Sequence, residues 1–386
     1  MTKTKVPRLR FSGFSGEWKE EKLGDVSTNS KGSGLSKESI NVDKKGQPVV
    51  HYADIYKFNN IVNEVIHWSE KDEGKIIPDN SVIFPMSDVT PNGLAKCSVV
   101  NVTRVKAGGD ILIFSMNQEI SSRYISYFIS GNKKKVLKLV SGTSVKHISS
   151  KSISKILISF PELNEQQKIG DFFTKLDKLI ELQTQKVDQL KKLKRGYLQK
   201  MFPQEGETVP RLRFSGFSGE WKEDKLLNFS KLRTGNRNVQ DSLDNGKYVF
   251  FDRSNEIKLL NEFEFEGKVL VYPGEGAKFL PRKFEGKYSL HQRAYGLYDF
   301  KNIDYEFLFQ ELLTQNRHFL RYSVGTTAKS LRKDCFERLI IKFADFQEQQ
   351  KIGEFFAKLD KLIEEQSNKL DQLKQQKKAY LQKMFI

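Results

Sequence analysis

The chain has 386 residues, and its 65 Lys and Arg against 48 Asp and Glu give a formal charge of +17 at pH 7. That length exceeds one ordinary core, so two or more domains are expected, and the basic excess favours a polyanionic partner, nucleic acid first. No run approaches the roughly 20 apolar residues of a membrane span, and the first residues, MTKTKVPRLRF, lack the apolar region of a secretory signal. Two cysteines (Cys97 and Cys335) and five scattered histidines without an HxxxH pair argue against a disulfide framework or a zinc site, which fits a cytoplasmic location.

The sequence repeats itself in order. PRLRFSGFSGEWKEEK at residues 7–22 returns at residues 210–225 with one change, Glu21 against Asp224. Arg, Phe and Trp together could stack on nucleic-acid bases. Identical residues in both copies suit a common scaffold better, with Phe11, Phe14 and Trp18, and likewise Phe214, Phe217 and Trp221, anchoring the start of each domain.

A variable block follows each cassette, residues 23–164 and 226–347, and the two show little likeness. In the first, β-rich runs at 48–52, 81–86, 98–102 and 111–114 precede an amphipathic helix predicted over 121–129. In the second, strands are predicted at 248–251, 268–272 and 294–298, with a helix over 305–313. Both are mixed α/β domains. They close alike, SGTSVKHISSKSISKILISF against VGTTAKSLRKDCFERLIIKF, as a Gly-Thr-Ser/Thr turn, a Lys, a short helix and an apolar strand.

Each block then runs into a nearly fixed segment, residues 165–202 and 348–385, without Pro until Pro203. Apolar residues recur in steps of three and four, a helical stripe. Leu176, Leu179, Ile180, Val187 and Leu190 carry it in the first copy, and Leu359, Leu362, Ile363, Leu370 and Leu373 in the second. About 35 residues make a rod of roughly 50 Å, whose stripe needs a partner of similar length. The other copy is the natural one, in an antiparallel coiled coil; a helix packed only on its own domain would have to find a globular surface for the whole stripe. Gln183 and Gln366 interrupt both stripes at equivalent places, and such polar breaks can fix register. The expected fold is therefore α+β: two α/β domains (1–164 and 203–347) joined by two long helices (165–202 and 348–386) in a pseudo-two-fold repeat.

Candidate DNA-contacting residues lie in the blocks. Thr143, Ser144 and Lys146, and again Thr326, Thr327 and Lys329, place hydroxyls, amides and an ammonium on the repeated turn, a set suited to phosphate oxygens or base edges. The other reading is a plain turn capping the next helix. His291, Gln292 and Arg293 form a cluster of hydrogen-bonding side chains, Arg and Gln being the usual readers of guanine and adenine edges. Lys278 and Arg282 lie nearby in sequence, and Asn117 and Gln118, with residues 86–93, are polar positions at predicted loops of the first block. No Pro-Pro methylation site, glycine-rich cofactor loop, Walker loop or nuclease carboxylate pattern occurs. The residues point to binding and positioning rather than catalysis.

The two GT[ST]xK…EQQKI junctions, the two FFxKLDKLI helices and the YLQKMF tails make the chain resemble the specificity subunit of type I restriction–modification systems, over its whole length. The resemblance implies two target recognition domains, each reading half of a split, asymmetric site in double-stranded DNA, on an antiparallel coiled coil that sets their spacing. It implies two methyltransferase subunits as partners, which hold the S-adenosylmethionine that this chain lacks, and two restriction subunits that can join them. A basic coiled-coil adaptor without sequence-specific DNA binding is the alternative.

Overall fold

The computed structural model describes residues 5–326 and 328–386. The chain divides into two units, Met1–Gln185 with Asn368–Ile386, and Lys186–Ser367. Both long helices form, Leu163–Met201 and Phe346–Lys383, and the division falls within each of them, so each unit holds half of both.

The helices run antiparallel in each unit. In the first, Phe172 packs edge-on against Tyr380 with centroids 5.2 Å apart, Phe173 stacks on Phe385 at 5.7 Å, and Asp177 pairs with Lys377. In the second, Lys194 Nζ lies 2.5 Å from Asp360 Oδ1, and Tyr197 meets Phe355 at 5.0 Å. The seam follows a strict heptad: Phe173, Leu176, Ile180, Gln183, Val187, Leu190, Lys194, Tyr197, Met201, and in the other helix Phe356, Leu359, Ile363, Gln366, Leu370, Leu373, Lys377, Tyr380, Met384. All of these are buried or half-buried.

Two residues expected in the stripe lie outside it. Leu179 is 45% exposed and Leu362 38%, because a seam advancing 3.5 residues per step takes Ile180 and Ile363 after Leu176 and Leu359, and passes the leucine one position earlier. The apolar pattern also hid two seam lysines. Asp177 accepts from the Lys377 ammonium and from Tyr127 Oη at 2.9 Å, and Asp360 accepts from Lys194 and from Gln310 Nε2 at 2.9 Å. Each aspartate thus joins the two helices to the block beside them.

The repeated segments meet one another. Arg10 Nε and Nη2 donate to Glu165 Oε1 and Oε2 at 2.8 and 2.7 Å, and Arg213 does the same to Glu348 at 2.7 and 2.6 Å. Both carboxylates are 1% exposed, so the fork-to-fork pair supplies the charge that burial of an anion demands. Lys168 lies over Phe11 and Phe14, and Lys351 over Phe214 and Phe217, at 5.3–5.6 Å. Leu9 N donates to Lys383 O and Leu212 N to Lys200 O, which satisfies a carbonyl left open at each helix C-terminus. Trp18 and Trp221 are buried, and Phe385 and Phe202, from the ends of the helices, pack against Tyr124 and Trp221 respectively. The cassette is scaffold.

The blocks share one strand scheme. The second holds a six-stranded sheet in the order Lys231–Arg233, Tyr295–Tyr298, Phe265–Tyr272, Arg282–Leu290, Tyr248–Phe251, Ile257–Leu260, with Tyr248–Phe251 and Arg282–Leu290 parallel. The first splits the same arrangement into a three-stranded sheet (Ser27–Lys31, Ile111–Met116, Ser81–Pro85) and a four-stranded one (His67–Ser69, Gln47–Val50, Lys106–Ala107, Lys75–Ile76). The counterpart of the long strand Phe265–Tyr272 is interrupted between Lys75–Ile76 and Ser81–Pro85, where Pro78 offers no ladder donor and Asn80 adopts φ +53°. The predicted helices appear as Ser122–Gly131 and Tyr305–Thr314. The nine-residue strand Arg282–Leu290 was not anticipated, since its alternation is carried by Arg, Lys and Glu with a Gly at its centre.

Truncating Asp177 to Ala leaves the Lys377 ammonium half-buried without its anion and is expected to cost about 2 kcal/mol. A double-mutant cycle with Lys377→Ala, followed by thermal unfolding, should give a coupling energy above about 1 kcal/mol. Glu311 is fully buried, accepting from Gln315 Nε2 at 2.8 Å, and desolvation pushes its carboxyl up to about 7. The folded state then holds its proton above the unfolded value near 4.5, so stability from this group is present at acidic pH and is lost as pH rises from about 4.5 through 7. Glu311→Gln is expected to raise the melting temperature at pH 8 and to flatten its fall between pH 5 and 8, as calorimetry at several pH values would show.

Candidate nucleic-acid interface

The repeated turn has the same construction in both blocks. In the first, Ser141 N donates to His147 O at 3.0 Å and His147 N to Ser141 O at 2.8 Å. Gly142 sits at φ +101°, where an added Cβ would lie 2.2 Å from Val145 O, so a side chain there would be strained and clash. Thr143 and Ser144 are exposed at the tip. In the second, Val324 and Ser330 exchange the equivalent bonds at 3.0 and 2.8 Å, Gly325 has φ +99°, and Thr326 is exposed. Thr327 lies outside the described residues. Lys146 Nζ donates to Gly142 O at 2.7 Å, and Lys329 Nζ donates to Leu320 O at 3.1 Å, each retaining donors of its ammonium.

Each turn is stitched to a second loop. Lys146–His147 pairs antiparallel with Ser87–Asp88, which brings the polar residues 86–93 alongside. Lys329–Ser330 pairs with Glu275–Gly276 in the same way. A third loop completes each cluster. In the first block it follows Gln47–Val50, with Tyr56 Oη donating to Ser87 O. In the second it follows Tyr248–Phe251, with Glu275 N donating to Arg253 O at 3.0 Å.

The predicted residues divide accordingly. Gln292 and Arg293 join the second cluster: Gln292 Nε2 donates to Asn238 Oδ1 at 2.8 Å, and Arg293 Nη1 donates to Glu275 Oε1 at 2.7 Å. Lys278 is exposed just beyond Glu275–Gly276. His291 and Arg282 are built into the domain. The His291 ring is buried and accepts from Arg293 N at 3.0 Å, and desolvation lowers its pKa, favouring the neutral form. The half-buried Arg282 donates to Asn255 O and Ser254 O and lies 5.0 Å over the Phe251 ring. Asn117 and Gln118 do not meet the turn. They follow Ser115, which pairs with Ser81 at one end of the strand pair, whereas Ser87–Asp88 lies past the other end. Asn117 Oδ1 accepts from Glu119 N, and Gln118 faces a cavity of about 600 Å³ shared with Arg10, Phe14 and Glu165 of the scaffold junction.

The sequence reading missed Arg253 and Glu275, which only the strand pairing brings to Arg293. The one available signal was position, since Arg253 stands just after a predicted strand. Among the described residues no group of three or more His, Cys, Asp or Glu could hold a metal ion, and no helix is long and apolar enough to cross a membrane.

The comparisons with known proteins agree with this layout. A family model described as the type I restriction modification DNA specificity domain matches residues 15–192 and 218–375. The specificity subunit of type I restriction enzyme MjaVIII from Methanocaldococcus jannaschii is 22% identical, over 95% of this chain and 91% of its own length. That of EcoDI from Escherichia coli is 26% identical over 42% of this chain and 36% of its own. The crystal structure of the S subunit of a type I restriction–modification system from M. genitalium has a similar fold, with a TM-score of 0.73 over 99% of both chains at 16% identity. With two copies of the family domain that together span most of its length, this chain belongs to the type I restriction–modification DNA specificity subunits.

Proposed function

We propose that this chain reads a bipartite, asymmetric sequence in double-stranded DNA, one half with each variable block, and positions catalytic partners on it. Residues 1–164 and 203–347 are the two target recognition domains; residues 165–202 and 348–386 are the frame. The carrying observation is the distribution of likeness. The repeated residues bond to one another at the helix junctions, while the three-loop clusters beside the turns share a backbone plan and differ in side chains. A common frame with unlike readers is what a split asymmetric site requires. The contacting groups are Thr143, Ser144 and Lys146 in the first block, and Gln292, Arg293, Lys278, Thr326, Thr327 and Lys329 in the second. The adaptor reading gives no reason for two different polar clusters on one repeated turn.

Catalysis belongs to partners. Two methyltransferase subunits hold S-adenosylmethionine and methylate an adenine flipped out of each half-site, and two restriction subunits complete the enzyme in the cytoplasm. The basic charge supplies the salt-sensitive, sequence-independent part of the affinity.

Genome-wide detection of modified bases in a methylation-free host, carrying the cognate methyltransferase subunit with and without this chain, tests the assignment. A split motif methylated only with the chain present is expected, and replacing residues 226–347 by an unrelated recognition block should change one half of that motif alone. Motifs identical with and without the chain would refute it. Inserting one matched heptad into both long helices is expected to lengthen the spacer and leave both half-sites as they were; altered half-sites at constant spacing would defeat the frame's role as a ruler.

A further inference from the structure

We infer that Glu275 is a positioning residue that holds Arg293 and Arg253 to read a guanine in the half-site of the second block. The inference rests on the proposed reading of that block as a recognition domain and adds the class of base. Glu275 Oε1 accepts from Arg293 Nη1 at 2.7 Å, and Oε2 lies 3.6 Å from Arg253 Nε. The carboxylate is the more enclosed group, its side chain 26% exposed against 63% for Arg293 and 48% for Arg253. Two guanidinium groups therefore converge on one anion from its solvent side.

The backbone beneath them is locked. Glu275 N donates to Arg253 O at 3.0 Å, and Leu331 N donates to Gly274 O at 2.8 Å. Gly274 runs so close to Arg293 that an added Cβ would lie 1.6 Å from the Arg293 carbonyl oxygen. Loops carrying Arg253, Glu275, Arg293 and the turn of Thr326 are thus fixed against one another, with little freedom to rearrange.

Two features favour a ligand over a structural ion pair. Exposed ion pairs contribute on the order of 1 kcal/mol or less, and here two cations share one anion. A guanidinium carries five donors, and Glu275 occupies one side of Arg293, so the remaining edge keeps a planar pair of N–H groups. The O6 and N7 acceptors of guanine in the major groove match that pair, and they are the commonest specific target of arginine. Gln292, held by Asn238, stands beside it. In the first block the corresponding loops carry His51, Tyr52, Tyr56 and Asp88 and no arginine, so the guanine is assigned to the second half-site.

The test uses the assembled complex with its methyltransferase subunits and a duplex bearing the site found for the wild-type chain. Each guanine of the second half-site is replaced in turn by 7-deazaguanine, which lacks N7 and still pairs with cytosine. At one position the wild type is expected to lose about tenfold or more in affinity, while Arg293→Ala loses nothing further there. Glu275→Gln, which keeps the shape and drops the charge, should weaken the preference for guanine at that position and leave discrimination at the first half-site intact. Thermal unfolding of each variant, unchanged from the wild type, certifies that the second block is folded. A second half-site without guanine, or equal deaza effects in wild type and Arg293→Ala, would overturn the inference. So would a uniform loss of affinity across all sequences, the mark of a phosphate contact. Exchange of residues 226–347 separates the two levels: if it changes one half-site while the deaza effect is absent, only the guanine assignment falls, and if it changes neither, both fall.

Discussion

The buried carboxylate at the start of each long helix governs how this chain is assembled. Glu165 and Glu348 lie in the first turn of their helices, almost without exposure. A carboxylate in such a place must find a cation of matching geometry or destabilise the fold by several kcal/mol. Arg10 and Arg213 meet that requirement with both nitrogens of the fork, and their further donors reach Gly16 O and Gly219 O in the cassette's own turn. The pair therefore sets where the cassette lies. The cassette's Phe residues then receive Lys168 or Lys351, and its backbone caps the C-terminal end of the opposite helix. Changing any one of these segments would strand a polar group in another, which gives a physical reason for all three to repeat together.

A second constraint couples this frame to the blocks. The glutamine after each buried glutamate, Gln166 or Gln349, accepts from Ser121 N or Asp304 N at 2.9 Å and donates back to Pro161 O or Ala344 O at 2.8 Å. The start of the block's main helix is thereby registered on the start of the long one. Asp177 and Asp360 do the same a few turns later through Tyr127 and Gln310. Each block is held at its base by side chains of the frame, and its outer loops carry no such obligation. Sequence can vary there without cost to the junction.

Much of this was legible beforehand, and the misses have particular causes. Duplicated segments, helix period and the closing turn–helix–strand are local patterns, and local patterns survive in a sequence. Leu179 and Leu362 were placed in the stripe because they share its spacing of three; the drift of a 3.5-residue seam moves them to the outer side. Lys194 and Lys377 were overlooked because a charge at a seam position makes sense only once Asp360 and Asp177 are across from it. Arg282–Leu290 was not read as a strand because its exposed face is charged and its buried face begins only at Tyr288.

The candidate interface divides along the same line. Residue order alone brought out the turn of Gly142 to Lys146 and its twin at Gly325 to Lys329, because a glycine at positive φ followed by small hydroxyl residues is a property of a few consecutive positions. It could not separate Arg293, at the surface on Glu275, from His291, two residues earlier and buried, since the chain turns there, with Ala294 N donating to His291 O at 2.9 Å, and the alternation of the preceding strand no longer tells which side a residue faces. By itself, then, the sequence determined two halves, their long helices and the constant scaffold. Only the tertiary structure decided which leucines face the seam, which lysines are paired, and which polar residues share one surface, since those are outcomes of contacts between segments far apart in the chain.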